Sequence, residues 1–185
     1  MALKATIFKS LLQIADMDRN YYHDHALTIA RHPSETDERM MVRLLAFALH
    51  ASDALSFGKG LSADDEPDVW EKDLTGVIQT WIDVGQPDER RIRKACGRAD
   101  QVFVYSYGSH GASMWWDQIR SNLEKTRNLT VTKLAADAPR ELAKLANRNM
   151  RLNCTIQDRQ VWLADAQQSV GVQLETLRIP TSSMR

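Results

Sequence analysis

Two β-hairpins predicted from the sequence limit the folds open to this chain more than any other feature. Residues 5–14 and 22–30 carry β-branched and aromatic side chains on either side of a polar turn at residues 16–20, a pattern typical of a long hairpin. Residues 67–70 and 76–84 predict a second, shorter pair of strands joined by a turn. Because a hairpin pairs neighbouring strands antiparallel, a sheet wound entirely from parallel strands is not expected.

Helical segments alternate with the predicted strands. Ser34 is placed to cap a helix whose apolar stripe consists of Met41, Leu44, Leu45 and Ala48. A second helix is expected to begin at Pro87, since proline suits the first helical position. The remaining third predicts a strand at 102–107, a helix at 112–121, a strand at 129–134, a helix at 138–147, and strands at 150–156, 161–164 and 170–174.

These elements together predict one α+β (mixed α/β) domain that spans residues 1–185, with a single mixed sheet flanked by helices. No linker or internal repeat divides the chain. A domain of this length buries enough surface to fold without disulfides or metals.

Composition limits the cellular compartments and the binding partners that are expected for this protein. The two cysteines, Cys96 and Cys154, lack the neighbours of a disulfide framework or a zinc site. The first residues lack a secretory pattern, and no apolar run reaches membrane-spanning length. We therefore expect a cytoplasmic protein without membrane association. Lys plus Arg and Asp plus Glu each total 24, so a nucleic-acid surface would require local segregation of charge.

An acidic turn and a strand end supply the candidate site. Asp68 begins the first strand of the second hairpin, and Asp83 lies near the end of the next one. Two carboxylates on neighbouring strands, with a third acid, form the partial oxygen shell that Mg²⁺ prefers. In phosphodiester hydrolysis such an ion polarises the phosphate and acidifies a water. The alternative, purely structural interpretation makes Asp68 part of a solvated acidic loop and Asp83 a helix-capping acceptor.

Several segments carry a family resemblance: ARHPSETDERMM at 30–41, GLSADDEPDVW at 60–70, WIDVGQPDERRIRKAC at 81–96 and TIQD at 155–158. With these segments the chain resembles the YaeQ family over nearly its whole length. The resemblance implies a variant of the PD-(D/E)XK nuclease fold with an N-terminal β-hairpin, related to magnesium-dependent endonucleases. The biological role of that family is itself unsettled.

The resemblance also implies roles for individual residues. Asp68 matches the first aspartate of the nuclease pattern and Asp83 matches the second acid. Glu38 matches the helical glutamate, with Glu35 one turn earlier as the alternative. Gly85 stands where the pattern has its lysine, and this departure puts catalytic competence in doubt.

Other groups are candidates to replace that lysine. Gln86 follows Gly85, but on a regular strand it would point away from Asp83, and a neutral amide brings no positive charge. Lys59 and Lys94 are the cationic alternatives, from the preceding loop and the following helix.

The helix after Pro87 carries a basic surface formed by Arg90, Arg91, Arg93, Lys94 and Arg98. Such a surface can contact nucleic-acid phosphates without reading sequence. The structural alternative is a solvated helix face whose positive charges are neutralised by nearby acidic residues.

Other chemistry-bearing residues favour structural roles. His23 and His25 share a strand face but lack a further ligand. Core packing is the better interpretation of the aromatic residues Tyr105, Tyr107, Trp115 and Trp116. Ser109 and His110 lack the surroundings of a hydrolase triad.

The leading hypothesis is therefore a magnesium-dependent nuclease-like protein, with Asp68, Asp83, Glu38 and Gln86 at its site. The alternative is a non-enzymatic module that binds nucleic acid or a protein partner. Another chemistry on the same fold is a third option, because fold does not determine reaction.

Overall fold

The computed structural model describes residues 4–59, 61 and 63–181. Its strands are β1 (Thr6–Asp16), β2 (Tyr21–Arg31), β3 (Leu55–Phe57), β4 (Val69–Lys72), β5 (Ile78–Val84), β6 (Ala99–Ser106), β7 (Leu129–Leu134), β8 (Asn149–Gln157), β9 (Gln160–Ala164), β10 (Ser169–Val172) and β11 (Leu174–Arg178). Its helices are α1 (Asp37–His50), α2 (Glu89–Arg98), α3 (Ser109–Ile119) and α4 (Ala138–Ala143), with a short 3-10 helix at Arg120–Leu123. The predicted α+β class is confirmed.

The prediction of a single sheet is wrong, because the strands form two sheets. The chain also divides into two compact units: residues 1–48 with 137–173, and residues 49–136 with 174–185. Sequence periodicity reports which residues of a strand are buried, but it does not report which distant strand becomes its neighbour. The one-domain organisation stays a prediction.

The first unit contains a five-stranded sheet in the order β10-β9-β8-β1-β2. Strands β1 and β2 form the predicted N-terminal hairpin, which is confirmed with Asp16 opposite Tyr21. On its other side β1 pairs parallel with β8, from Lys9 beside Asn149 onward. Burial alternates along β1, as expected for a strand with one covered face.

The second unit contains a six-stranded sheet in the order β11-β7-β6-β5-β4-β3. Strands β5, β6 and β7 are parallel, and the remaining pairs are antiparallel. Its core is rich in aromatic and β-branched residues, among them Trp81, Ile92, Val102, Trp115 and Trp116. The prediction that Trp115 and Trp116 pack in the core is therefore confirmed.

Helix α1 contains the predicted apolar stripe, and all four stripe residues are buried. The cap is not the predicted one: Thr36 Oγ1 accepts the backbone N–H of Arg39 at 3.1 Å. Ser34 instead contacts the ring of His32. In the part of the chain that the structure describes, no helix is long and apolar enough to cross a bilayer.

A buried ion pair joins the loop before α1 to the helix itself. Arg43 donates from Nε to Glu35 Oε1 and from Nη2 to Oε2, each at 2.7 Å. Arg43 Nη2 also donates to the Ala30 carbonyl at 3.0 Å, and Arg39 adds a bond to Glu35 at 2.9 Å. Glu35, the alternative to Glu38 in the nuclease pattern, is therefore engaged by two arginines.

We expect Arg43→Met to lower the free energy of unfolding by about 3 kcal/mol, because it leaves the Glu35 carboxylate buried with one fewer partner. Urea unfolding followed by circular dichroism measures this loss. The matched control is Glu38→Gln on the exposed side of the same helix, expected to change stability by less than about 0.5 kcal/mol. Equal losses in the two variants would contradict a structural role for the Glu35–Arg43 pair.

Candidate functional site

Strands β4 and β5 bring Asp68 and Asp83 next to each other. Val69 lies opposite Ile82 in the antiparallel pair, so Asp68 and Asp83 are one step further along their strands. The backbone N–H of Asp68 donates to the Ile82 carbonyl at 3.1 Å. Only 1% of Asp68 and 2% of Asp83 is exposed. Two carboxyl groups are therefore withdrawn from solvent at the same end of this hairpin.

The Asp68 carboxylate takes part in the hydrogen bonding of the strand end. Its Oδ2 accepts the backbone N–H of Val84 at 2.9 Å. The Asp68 carboxylate oxygen thus takes the place of the backbone carbonyl that would accept this N–H if the two strands continued to pair. The interpretation of Asp68 as a solvated loop residue does not fit its burial, since only 1% of the residue is exposed.

Asp83 is held by two neighbours. Trp81, two residues earlier on β5, donates its indole N–H to Asp83 Oδ2 at 3.1 Å. Arg91 donates from Nε to Oδ2 at 2.8 Å and from Nη2 to Oδ1 at 2.9 Å. This forked, charge-assisted geometry is the strong form of an arginine–carboxylate pair.

Arg91 reaches the site from the first turn of α2. Asp88, rather than Asp83, caps this helix, since Asp88 Oδ1 accepts the backbone N–H of Arg91 at 2.7 Å. The guanidinium also donates to the carbonyls of Asp64 at 3.1 Å and Glu66 at 2.8 Å. One cation therefore ties the acidic turn to the end of β5.

The surroundings of Arg91 raise its pKa. Burial by itself lowers that pKa, but the hydrogen bond and charge of Asp83 outweigh burial, with further contributions from the charges of Asp68 and Asp64. The guanidinium is therefore charged at neutral pH. Its electrostatic interaction reaches both Asp83 and Asp68.

Backbone geometry accounts for the glycine at the expected lysine position. Strand β5 ends at Val84, and Gly85 has a φ of 97°, a conformation that residues with a side chain rarely adopt. The Gly85 N–H donates to the Tyr105 carbonyl of β6 at 2.9 Å, which holds the backbone in this turn. A lysine at residue 85 would be strained.

The other proposed replacements for lysine have partners of their own. Gln86 donates its amide to the Tyr107 carbonyl at 3.1 Å, at the connection between β6 and α3. Lys59 lies 3.8 Å from Glu66, and Lys94 pairs with Asp65. The hydrogen bond and the charge of Lys94 lower the pKa of Asp65.

Glu38 lies on the exposed side of α1 and belongs to the first unit, whereas Asp68 and Asp83 belong to the second. Across residues 4–59, 61 and 63–181, no three His, Cys, Asp or Glu side chains form a group that could hold a metal ion. The set of Asp68, Asp83 and Glu38 as magnesium ligands stays a prediction.

The basic surface of α2 is bound in part to local acceptors. Arg93 pairs with Glu89 at 2.7 Å. The guanidinium of Arg98 lies over the Trp81 ring, 5.4 Å from its centroid. Arg90 is exposed and makes no ion pair with a described residue. Contact of this surface with nucleic acid stays a prediction.

Arg91 is the site residue whose position the sequence did not reveal. It stands in a run of basic residues, and nothing in the run itself distinguishes it from its neighbours. A prediction of Asp88 as the helix cap would have indicated the position of Arg91. The cap fixes Arg91 in the first turn, close to the strand end that precedes the helix.

We expect Arg91→Met to lower the free energy of unfolding by about 3 kcal/mol, because Asp83 stays buried without its forked partner. Arg90→Met, on the exposed side of the same turn, is the control. A double variant with Asp83→Asn should lose less stability than the sum of the two single variants, as urea titration measures. Strict additivity would show that the two side chains are not coupled.

Placing at residue 85 the lysine that the family resemblance implies should also be unfavourable. Gly85→Lys is expected to lower the free energy of unfolding by roughly 1–3 kcal/mol through backbone strain. Gly97→Lys on the exposed side of α2 is the control, since its backbone is helical. Unchanged stability in Gly85→Lys would show that the turn relaxes easily.

Comparison with known proteins gives consistent matches along the chain. The model of the family described as YaeQ protein matches residues 1–174. The Salmonella typhi protein called "Uncharacterized protein YaeQ" is 47% identical, over 98% of this chain and all of its own length. The protein of the same name from Escherichia coli K12 is 45% identical over the same shares.

Two solved structures show the same fold. The YaeQ protein of Xanthomonas axonopodis pv. citri has a TM-score of 0.92 and 49% identity, and the match covers 95% of this chain and 99% of that one. The YaeQ protein of Pseudomonas syringae has a TM-score of 0.90 and 37% identity, with 94% and 96% covered. By sequence and by structure, this chain belongs to the YaeQ family.

Proposed function

We propose that the protein is a nuclease-like phosphodiesterase whose divalent-cation site is built on Asp68 and Asp83 and is closed by Arg91. The observation that carries this proposal is the burial of two adjacent carboxylates, one of which accepts two hydrogen bonds from a guanidinium. Buried acids beside a strong charge partner are common at functional sites. The resemblance to PD-(D/E)XK nucleases supplies the reaction class.

The donor chemistry of the two aspartates fits Mg²⁺, which prefers carboxylate oxygens and retains several waters. Asp83 is not free to bind the ion in this structure, since Arg91 donates to both carboxylate oxygens of Asp83. A guanidinium and a divalent cation repel each other at this distance. The residues therefore fit the ion only when Arg91 withdraws. When bound, the ion would polarise a phosphate and acidify a water.

In this proposal Arg91 replaces the missing lysine. Gly85 brings no charge to the site, whereas the Arg91 guanidinium lies at the second acid of the pattern. Once released from Asp83, it can bind the anionic oxygens of a phosphodiester in a forked geometry. The loop carbonyls of Asp64 and Glu66 hold Arg91 in place until then.

The proposal includes a cytoplasmic location. Cys96 and Cys154 are free thiols, as suits a reducing compartment. Burial is the largest effect on both and raises the pKa of Cys96 to about 11 and that of Cys154 to about 12. Neither thiol is therefore available as a nucleophile at neutral pH.

A non-enzymatic binding module is the second candidate, because the Arg91 contacts are compatible with a purely structural role for the acidic pair. Both oxygens of Asp83 and two loop carbonyls accept from this one guanidinium. Such a network is also what a structural clamp requires. The two candidates differ in whether removal of Arg91 opens a cation site.

Binding of Mn²⁺, followed by electron paramagnetic resonance, separates the candidates. We expect Arg91→Gln to bind Mn²⁺ roughly tenfold more tightly than the unaltered protein, because the competing charge is gone. Adding Asp83→Asn to Arg91→Gln should abolish that binding. Arg90→Gln serves as the matched control, and circular dichroism checks that each variant is folded.

Catalysis is tested on single- and double-stranded DNA and RNA with Mg²⁺ or Mn²⁺. The proposal expects cleavage by the unaltered protein that Asp83→Asn removes. Cleavage that is equal in the two proteins comes from a contaminant and contradicts an enzymatic role. Absence of Mn²⁺ binding in a folded Arg91→Gln variant would favour the binding module instead.

A further inference from the structure

We infer that the exposed face of the five-stranded sheet binds single-stranded nucleic acid. This outer face is the side of β1, β2, β8 and β9 that carries Lys9, Arg151, Tyr22 and Trp162. It lies entirely in the first unit and is distinct from the acidic pair and from α2. The inference does not depend on the proposed phosphodiesterase.

The alternation of burial defines the outer face. On β1, Phe8, Leu12 and Ile14 are buried, while the intervening residues point the other way. Two of those intervening residues are large and apolar: Ile7 is 43% exposed and Leu11 is 38% exposed. On β8 the outward residues are polar, whereas Met150 and Leu152 are buried. The sheet therefore presents a mixed polar and apolar surface.

One end of the outer face carries an aromatic row. Trp162 lies beside Thr155, Thr155 beside Ala15, and Ala15 beside Tyr22, so the four residues cross four adjacent strands. Trp162 is 36% exposed and Tyr22 is 59% exposed. The two small residues between them leave space above the sheet. Three strand spacings separate the rings by about 14 Å, which leaves room for bases to stack on each.

The other end of the outer face contains a groove with a volume of about 780 Å³. Lys9 and Arg151 line it from β1 and β8, and Lys144 lines it from the segment before β8. The carboxylate in the lining is Asp165, whose Oδ1 accepts the backbone N–H groups of Gln167 and Gln168 at 2.8 Å.

The charges in this groove favour an anion. Lys144 is paired with Glu141 at 2.7 Å, so Lys9 and Arg151 carry the attraction. Lys9 lies beside Asn149 and Arg151 lies beside Leu11, so the two cations occupy successive outward rows of the sheet. On β2 the outward Asp24 lies within 3.5 Å of the Gln13 amide. The cations therefore lie over β1 and β8, and the carboxylate of Asp24 lies at the β2 edge.

The spacing of cations and aromatic rings suits a flexible single strand. Arg151 and Thr155 are four residues apart on β8, or about 13 Å, and Thr155 is the neighbour of Trp162. If a single-stranded nucleic acid places its phosphates at Lys9 and Arg151, a base only a few nucleotides away can reach Trp162. A duplex hides its base faces from such rings, so we expect it to bind more weakly.

Fluorescence anisotropy with labelled single-stranded DNA and RNA of about 12 nucleotides tests this inference. The buffer contains EDTA and about 50 mM salt, so binding is measured without any divalent cation. We expect Lys9→Glu with Arg151→Glu to weaken binding roughly tenfold or more. We expect Trp162→Ala to weaken it about fivefold or more through loss of stacking, whereas Trp162→Phe retains most of the affinity.

The control carries Arg90→Glu and Arg93→Glu on α2, with the same change of charge. Retention of binding in this control, together with its loss in the sheet variants, supports the outer face. Loss in the control alone overturns the inference and assigns binding to α2. Equal affinity for duplex DNA or for an acidic peptide also overturns it, because either result means generic attraction to anions. All variants lie at exposed positions, and circular dichroism checks that each is folded.

Discussion

The contact between Asp83 and Arg91 is the interaction on which the second unit's site depends. It joins the end of β5 to the first turn of α2, and through two loop carbonyls it also holds the acidic turn before β4. A carboxylate buried to this degree needs a strong partner, because desolvation of an unpaired charge is costly. The same requirement makes Arg91 difficult to replace. It also makes the site unavailable to a second cation while the contact persists.

This arrangement changes how the departure from the nuclease pattern is understood. Residue 85, where the resemblance implies a lysine, is a glycine in a left-handed turn just after β5, a conformation that disfavours any side chain. The cation that pairs with Asp83 is Arg91, from the following helix. In the proposed function, Arg91 binds a phosphate only after it has left Asp83. The nucleic-acid surface inferred for the sheet of the first unit does not require that step.

Sequence patterns predicted the local elements well where periodicity was strong. The hairpin of β1 and β2, the hairpin of β4 and β5, and the apolar stripe of α1 all follow from alternation or helical spacing. Prediction was weaker wherever a choice lay between similar neighbours. Thr36 caps α1 in place of Ser34, and Arg91 rather than another basic residue of α2 meets Asp83. Each of these choices depends on a difference of a few ångströms that composition does not encode.

By itself, the sequence determined the class of the fold, the family, and the nearness of Asp68 to Asp83. The last two rest on motifs and on a short hairpin, whose pairing is local. Tertiary structure alone decided that the strands divide into two sheets and that β1 pairs with β8, some 140 residues away in the chain. It alone decided the partner of Asp83. Long-range pairing and the direction of a guanidinium depend on which surfaces exclude water together, and a linear pattern does not contain that information.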